Sequence, residues 1–237
     1  TFLNHGSFGA TPNIVLEEQN RLRLHLESDP VRFFEREAFE NMNFASRKLS
    51  KFLNADPDGM TFCQNATSGV NTVLRSLVLS QGDEIIIPNH SYQACWNAID
   101  FVASRWGAKV VVVDLPFRCD SEEEIIEPLL AAISAKTVLA MIDTVTSPTG
   151  LRMPFEKLVD EFQSRGVDVL LDAAHGPGIV PMDLAKLDVA WVTGNCHKWL
   201  CSPKGSAFLH IREDKKKETK PLTISHGHSA DLSPQEK

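Results

Sequence analysis

The chain is poor in the features that most quickly assign a function. No apolar run approaches the ~20 residues that cross a bilayer, and the first residues lack the basic-then-apolar order of a signal peptide. Positive charge is in deficit: 24 Lys+Arg against 31 Asp+Glu give a net charge of -7, which leaves no general basic field to gather nucleic acid or anionic lipid. The one basic run, Lys215 to Lys217, suits a solvated loop. Cysteine is scarce: Cys63, Cys95, Cys119, Cys196 and Cys201 are odd in number and contain no CxxC, against both a disulfide framework and a zinc ribbon. Reduced thiols and a cytoplasmic enzyme are the expectation. Neither GxGxxG nor GxxxxGKS/T occurs, so a dinucleotide or nucleoside triphosphate is disfavoured.

What is present is a core and an alternation. The 43% hydrophobic content supports a sizeable core. From about residue 60 short apolar runs alternate with helical patterns, the mark of a parallel sheet covered by helices. The strand candidates are "EIIIP" (84–88), "KVVVVDL" (109–115), "TVLAMID" (137–143), "DVLLDAA" (168–174), "VAWVTG" (189–194) and "SAFLHI" (206–211). Most are continuously apolar, as expected when both faces are buried. Helices are expected over 92–106, 121–134 and 154–165, the last with proline in its first turn. Before residue 60 lie a turn-rich start and two amphipathic helices, about 14–27 and 35–53. The fold class is therefore α/β, a three-layer, mainly parallel sheet flanked by helices. Residues 1–55 form an N-terminal segment with helices contributing to the active site, and 56–237 form a cofactor-binding large domain. The chain opens at "TFLNHGSFG" without Met and closes in polar "SADLSPQEK", so both ends are expected to be cut from something longer.

In open parallel sheets ligands bind beyond the carboxyl ends of the strands. "CQNATSG" (63–69) would set unpaired amides, a helix dipole and the Thr67 and Ser68 hydroxyls as an anion cradle; an ordinary N-cap is the alternative. "NHSYQACW" places His90 and Tyr92 where a helix begins, and Tyr92 suits either a flat ring platform or core packing. Asp172 closes a buried run in "LLDAAHGPG", where an unpaired carboxylate is costly, so it must face a cation or several donors. His175 can point into the same space; a capping Asp and a core histidine remain the other reading. In "NCHKWLCSPKG", Lys198 follows the next strand, and burial would favour its neutral, nucleophilic amine. Alone, such a lysine would snorkel to solvent. Together, a cradle, a platform, a buried carboxylate and a poised lysine match what pyridoxal phosphate requires.

The motifs "LNHGSFG" (3–9), "NATSGVNTVLRS", "DAAHGPG", "NCHKWLCSPKG" and "SHG" (225–227) resemble the class V, cysteine-desulfurase-like branch of fold-type I pyridoxal-phosphate enzymes. The chain is most similar to the isopenicillin-N-epimerase-like group, which also holds carbon-sulfur lyases. This resemblance implies a PLP-dependent transferase fold-type I large domain whose C-terminal small domain is missing here. It implies pyridoxal 5'-phosphate as cofactor, an amino-acid substrate, and a homodimer with active sites at the interface. Lys198 would be the Schiff-base lysine, Asp172 the partner of the pyridine nitrogen, Tyr92 the stacking ring, and His175 the neighbour of the phenolic oxygen. Phosphate contacts would come from Ala66, Thr67, Ser68, Asn195 and His197. Asn4 and His5 resemble the segment lining the substrate pocket, and His226 would face a cofactor across the dimer.

The implied mechanism is α-proton removal by the freed Lys198 amine, then epimerisation, carbon-sulfur cleavage or transamination. Lyase or cysteine-desulfurase-like chemistry is the alternative to an epimerase-like reaction. Rivals from other classes are a nicotinamide dehydrogenase, for which the glycine-rich turn is lacking, and a non-catalytic binding paralogue. His226 and His228 have HxH spacing but no third ligand at useful distance, so no metal is expected. The arginine for a substrate carboxylate and the desulfurase cysteine would lie beyond the chain.

Overall fold

The apolar runs assemble into one seven-stranded sheet in the order β1-β7-β6-β5-β4-β2-β3. The computed structural model of the protein describes residues 1–225, so His226 and His228 lie outside the described residues. The strands are β1 (Met60–Cys63), β2 (Glu84–Pro88), β3 (Lys109–Val113), β4 (Thr137–Asp143), β5 (Asp168–Asp172), β6 (Trp191–Asn195) and β7 (Ala207–Ile211). β2 to β6 run parallel, while β7 is antiparallel to both β6 and β1.

The continuous apolar runs follow from a core on each face. Alternate residues of a strand point to opposite sides, and Ile86, Ala140, Ile142, Val169 and Leu171 enter one cluster while Ile85, Ile87, Leu139, Met141 and Leu170 enter the other. One cluster is closed by α4 (Ala66–Ser76) and α5 (Gln93–Trp106) through Val70, Val73, Leu74, Ile99 and Val102. The other is closed by α6 (Glu123–Ala131) and α7 (Phe155–Ser164) through Leu129, Phe155, Leu158 and Phe162, helped by α8 (Leu184–Leu187). The three-layer, mainly parallel α/β architecture read from the sequence is thus present. Among the described residues no helix is long and apolar enough to cross a membrane, and all five cysteines are free thiols.

Several details differ from expectation. The β3 and β5 runs end two residues early, and β6 starts at Trp191, because the flanking residues turn toward loops. Pro154 is the N-cap of α7 rather than part of its first turn. The expected helix from residue 35 is split: α1 (Asn13–Ser28) is followed by a turn, α2 (Pro30–Arg32), a π-helical stretch over Phe33–Glu37, and α3 (Ala38–Leu53). The edge strand β1 has only four residues and an irregular burial pattern, too short to stand out by period.

Two contacts fix how the layers meet. Asn65 caps α4 by accepting the Ser68 N–H at 2.8 Å, and Gly69 lets that helix lie on β6, since a Cβ there would sit 2.0 Å from Thr193 Oγ1. His210 on β7 is buried, with neither ring nitrogen hydrogen-bonded. Burial holds its imidazole below the ordinary value, with Asp56 pulling the other way. Two outcomes are expected. Gly69→Ala costs about 1–3 kcal/mol in urea unfolding, as overpacking does. Because the folded His210 is harder to protonate than the unfolded one, wild-type stability falls as pH drops below 6.5, and that decline is shallower in His210→Phe; equal slopes would refute the assignment.

Candidate active site

Parallel register brings the strand ends to one edge: Asp143 pairs with Asp172, and Asp172 with Thr193. The two carboxylates therefore lie on neighbouring strands, each 3% exposed. Asp172 accepts the Ala174 N–H at 2.9 Å and the Cys95 thiol at 3.3 Å. Asp143 accepts the Ser91 hydroxyl at 2.5 Å. Burial, then the charge of Asp172, pushes Asp143 well above the usual carboxylate range. Burial also raises Asp172, but the Ala174 N–H, the Cys95 thiol and Lys198 oppose the rise. Asp143 is thus the proton holder of the pair and Asp172 the charged member. The Cys95 thiol is pushed up by burial first and then by Asp172, so it serves as a donor.

Lys198 reaches this edge from the loop after β6. Cys196 N–H and His197 N–H both bond the Ser206 carbonyl, at 3.0 and 3.1 Å, which pins the loop to the start of β7. The N-terminal turn closes over it: Gly9 has φ +73° and a Cβ would lie 1.9 Å from the His197 carbonyl, so only glycine fits. The Lys198 amine lies 3.0 Å from His175 Nε2. Burial lowers the lysine, with Asp172 and Cys95 opposing. His175 is pushed down to about 4 by burial and then by Lys198, so its ring is neutral at physiological pH.

A narrow recess of about 20 Å³ joins these groups. Lys198, Asp172, His175, Tyr92, Ala66, Thr67 and Asn195, seven of the residues singled out from the sequence, line it. A wider cleft lies at the opposite ends of β4 and β5, against Leu77, Val138 and Trp191; its Asp168 is engaged by Lys215 at 2.6 Å, and its Ser76 and Thr219 hydroxyls are spent on the carbonyls of Thr72 and Lys215. Chemistry, not size, selects the recess.

The cradle is more selective than the motif implied. Asn195 accepts the Ala66 N–H at 2.9 Å, and the Ser68 N–H and hydroxyl both bond Asn65, which leaves the Thr67 amide and hydroxyl foremost at the helix start. Ser68 is thereby spent on the cap and does not line the recess. His197 borders a neighbouring cleft with Asn65 and Lys204, and its Nδ1 bonds the Ser206 carbonyl at 2.9 Å. Tyr92 stands at the mouth, 46% exposed, whereas His90 faces the Leu115 carbonyl and Thr149. Asn4 and His5 do not line the recess: His5 packs against Trp199 with ring centroids 6.1 Å apart, behind His175. Sequence reasoning passed over Asp143, Ser91 and Ser147. Asp143 carried the same signal as Asp172, a carboxylate closing a buried apolar run, and Ser147 sits in the loop beyond that strand end, after Thr146.

Known proteins resemble this chain in sequence and fold. The chain is 32% identical to the isopenicillin N epimerase of Streptomyces clavuligerus over 94% of its own length and 56% of the relative's. It is 30% identical to a probable chloroplastic L-cysteine desulfhydrase of Arabidopsis thaliana, over 89% of this chain and 48% of that one. A solved structure of a C-DES mutant, with glycine covalently linked to its PLP cofactor, superposes with a TM-score of 0.84 at 24% identity, covering 95% of this chain and 60% of the other. The chain thus spans about half the length of the curated relatives it matches. The family described as aminotransferase class-V matches residues 10–237, nearly the whole sequence, and the chain belongs to that family.

Proposed function

We propose that this chain belongs to a pyridoxal 5'-phosphate enzyme acting on an amino-acid substrate in the manner of an isopenicillin N epimerase. The observation that carries the reading is one recess holding a half-buried lysine amine, a neutral histidine 3.0 Å from it, and a buried carboxylate. The donor set fits the cofactor. Asp172 has an amide and a thiol as donors but no cation within ion-pair distance among the described residues, which a protonated pyridine nitrogen would supply. Thr67, at the start of an 11-residue helix capped by Asn65, would take the phosphate, with Ala66 and Asn195 beside it, while Ser68 is held by the cap and His197 borders the neighbouring cleft. Tyr92 would cover the ring, and Lys198 would hold the aldehyde carbon covalently.

When bound, the cofactor supplies an electron sink for negative charge at the substrate's α-carbon. The chain's own residues do the rest. Lys198 Nζ, once released, takes the α-proton; His175 keeps that amine placed; Asp172 holds a compensating charge at the far side of the recess. Asn4 and His5 would extend the pocket on the side of Trp199. A carbon-sulfur lyase is the second reading, favoured by one observation: among the described residues lining the recess, the exposed titratable side chain besides Lys198 and His175 is Tyr92, and elimination needs no second acid there.

A homodimer with the sites at its interface belongs to the same proposal. Its support is the N-terminal layer, where α1 buries no residue and Phe34, Phe39 and Phe44 are 63%, 76% and 64% exposed. Residues 1–55 would then serve the active site and the rest hold the cofactor, and five free thiols favour the cytoplasm.

Full-length protein incubated with PLP and dialysed is expected to keep a visible absorbance band, and Lys198→Ala is expected to lose it. An unchanged spectrum in the variant would sink the assignment. Asp172→Asn is expected to bind the cofactor yet lower turnover on the order of 10²-fold, read in a panel scoring keto acid, pyruvate and epimer release.

A further inference from the structure

We infer that Trp199, which does not itself line the recess, is a positioning residue that fixes the tautomer of His175 and thereby makes Lys198 a hydrogen-bond acceptor, a neutral amine, before any ligand arrives. The inference rests on Lys198 being the reactive amine of the site.

The argument is a count of protons. An indole N–H can only donate, and Trp199 Nε1 lies 3.3 Å from His175 Nδ1, so that nitrogen presents its lone pair. A neutral imidazole carries one N–H, which must then sit on Nε2. Nε2 lies 3.0 Å from Lys198 Nζ. A bond between these two nitrogens needs a lone pair on one of them, and Nε2 has none to give. Lys198 supplies it. The opposite polarity, an ammonium donating to Nε2, would move the histidine proton to Nδ1 and set it against the Trp199 N–H.

Packing holds both rings in this pose. A Cβ on Gly6 would lie 3.0 Å from both Cε1 and Nδ1 of His175, so the N-terminal turn rests on that ring edge. His5 rests on the Trp199 ring. The remaining groups around the amine are Asp172 from β5, Cys95 from α5, Asp143 from β4 behind Asp172, and Tyr92 at the mouth. Asp172 and Cys95 favour the ammonium, so the neutral amine is held against them by burial and by the His175 donor.

The test needs no cofactor. Full-length protein freed of carbonyl compounds is trace-labelled with acetic anhydride across pH, and the Lys198 peptide is quantified by mass spectrometry. Trp199→Phe is expected to move the labelling midpoint up by about one pH unit, which is ~tenfold slower labelling on the acid side of the midpoint. His175→Gln is expected to keep the wild-type profile, because its carbonyl accepts from Trp199 while its NH2 donates to the amine, and His175→Leu is expected to shift it as Trp199→Phe does. Ring nitrogen-15 shifts of His175 are expected to report the Nε2–H tautomer in the wild type and a mixture in Trp199→Phe. An Nδ1–H tautomer in the wild type, an unmoved midpoint in folded Trp199→Phe, or matching profiles for His175→Gln and His175→Leu would overturn the inference. Loss of the PLP reading would show as a missing absorbance band and leave these measurements untouched.

Discussion

The pairing of Asp143 with Asp172 across β4 and β5 is the constraint on which the site depends. Two buried carboxylates on neighbouring strands cannot both ionise at modest cost, so the surroundings must decide which one keeps its charge. Among the described residues Ser91 is the one side-chain partner of Asp143, whereas Asp172 has an amide, a thiol and a nearby lysine. The asymmetry favours the charge on the middle strand, β5. Register therefore does chemical work: a one-residue slip of β5 would turn Asp172 to the opposite face and disperse the set.

Much of this was legible because buried parallel strands write themselves as unbroken apolar runs, and a charge that ends such a run stands out. Asp172 and Lys198 were found in that way. Asp143 obeyed the same rule and was passed over, since "TVLAMID" was read for its strand and not for its last residue. What could not be read is what depends on distant partners. Ser68 looked like a cradle hydroxyl until Asn65 claimed it, and His197 is tied to Ser206 across the loop. The π-helical stretch at Phe33–Glu37 and the four-residue β1 fall below any periodic signal.

Trp199 and the N-terminal turn belong to the same class of invisible contact. Nothing in "NCHKWL" says that the indole turns from the recess toward His175, or that Gly6 and Gly9 bring residues 1–10 onto the lysine loop. These contacts join the first residues of the chain to its most reactive side chain over nearly 200 positions. Such a long-range closure orders late and reports on the whole fold, so the geometry at Lys198 is conditional on the sheet, β7 and the N-terminal turn together.

Burial alone would make this site inert. Desolvation disfavours charge of either sign, so it pushes a lysine toward the amine and a carboxylate toward the acid. A recess that merely excluded water would hold a neutral Lys198 beside a neutral Asp172. Donors break that symmetry. The Ala174 N–H and the Cys95 thiol stabilise the Asp172 anion and do nothing for an acid at the same oxygens. The His175 Nε2–H, set by Trp199, stabilises the Lys198 amine and repels an ammonium. One recess can thus hold an anion and a free base side by side because each receives a donor from a different element: the loop after β5 and α5 for the carboxylate, the indole-histidine pair for the lysine. Removing a donor shifts the proton balance of its own partner, and the geometry of strands and helices can stay as it is.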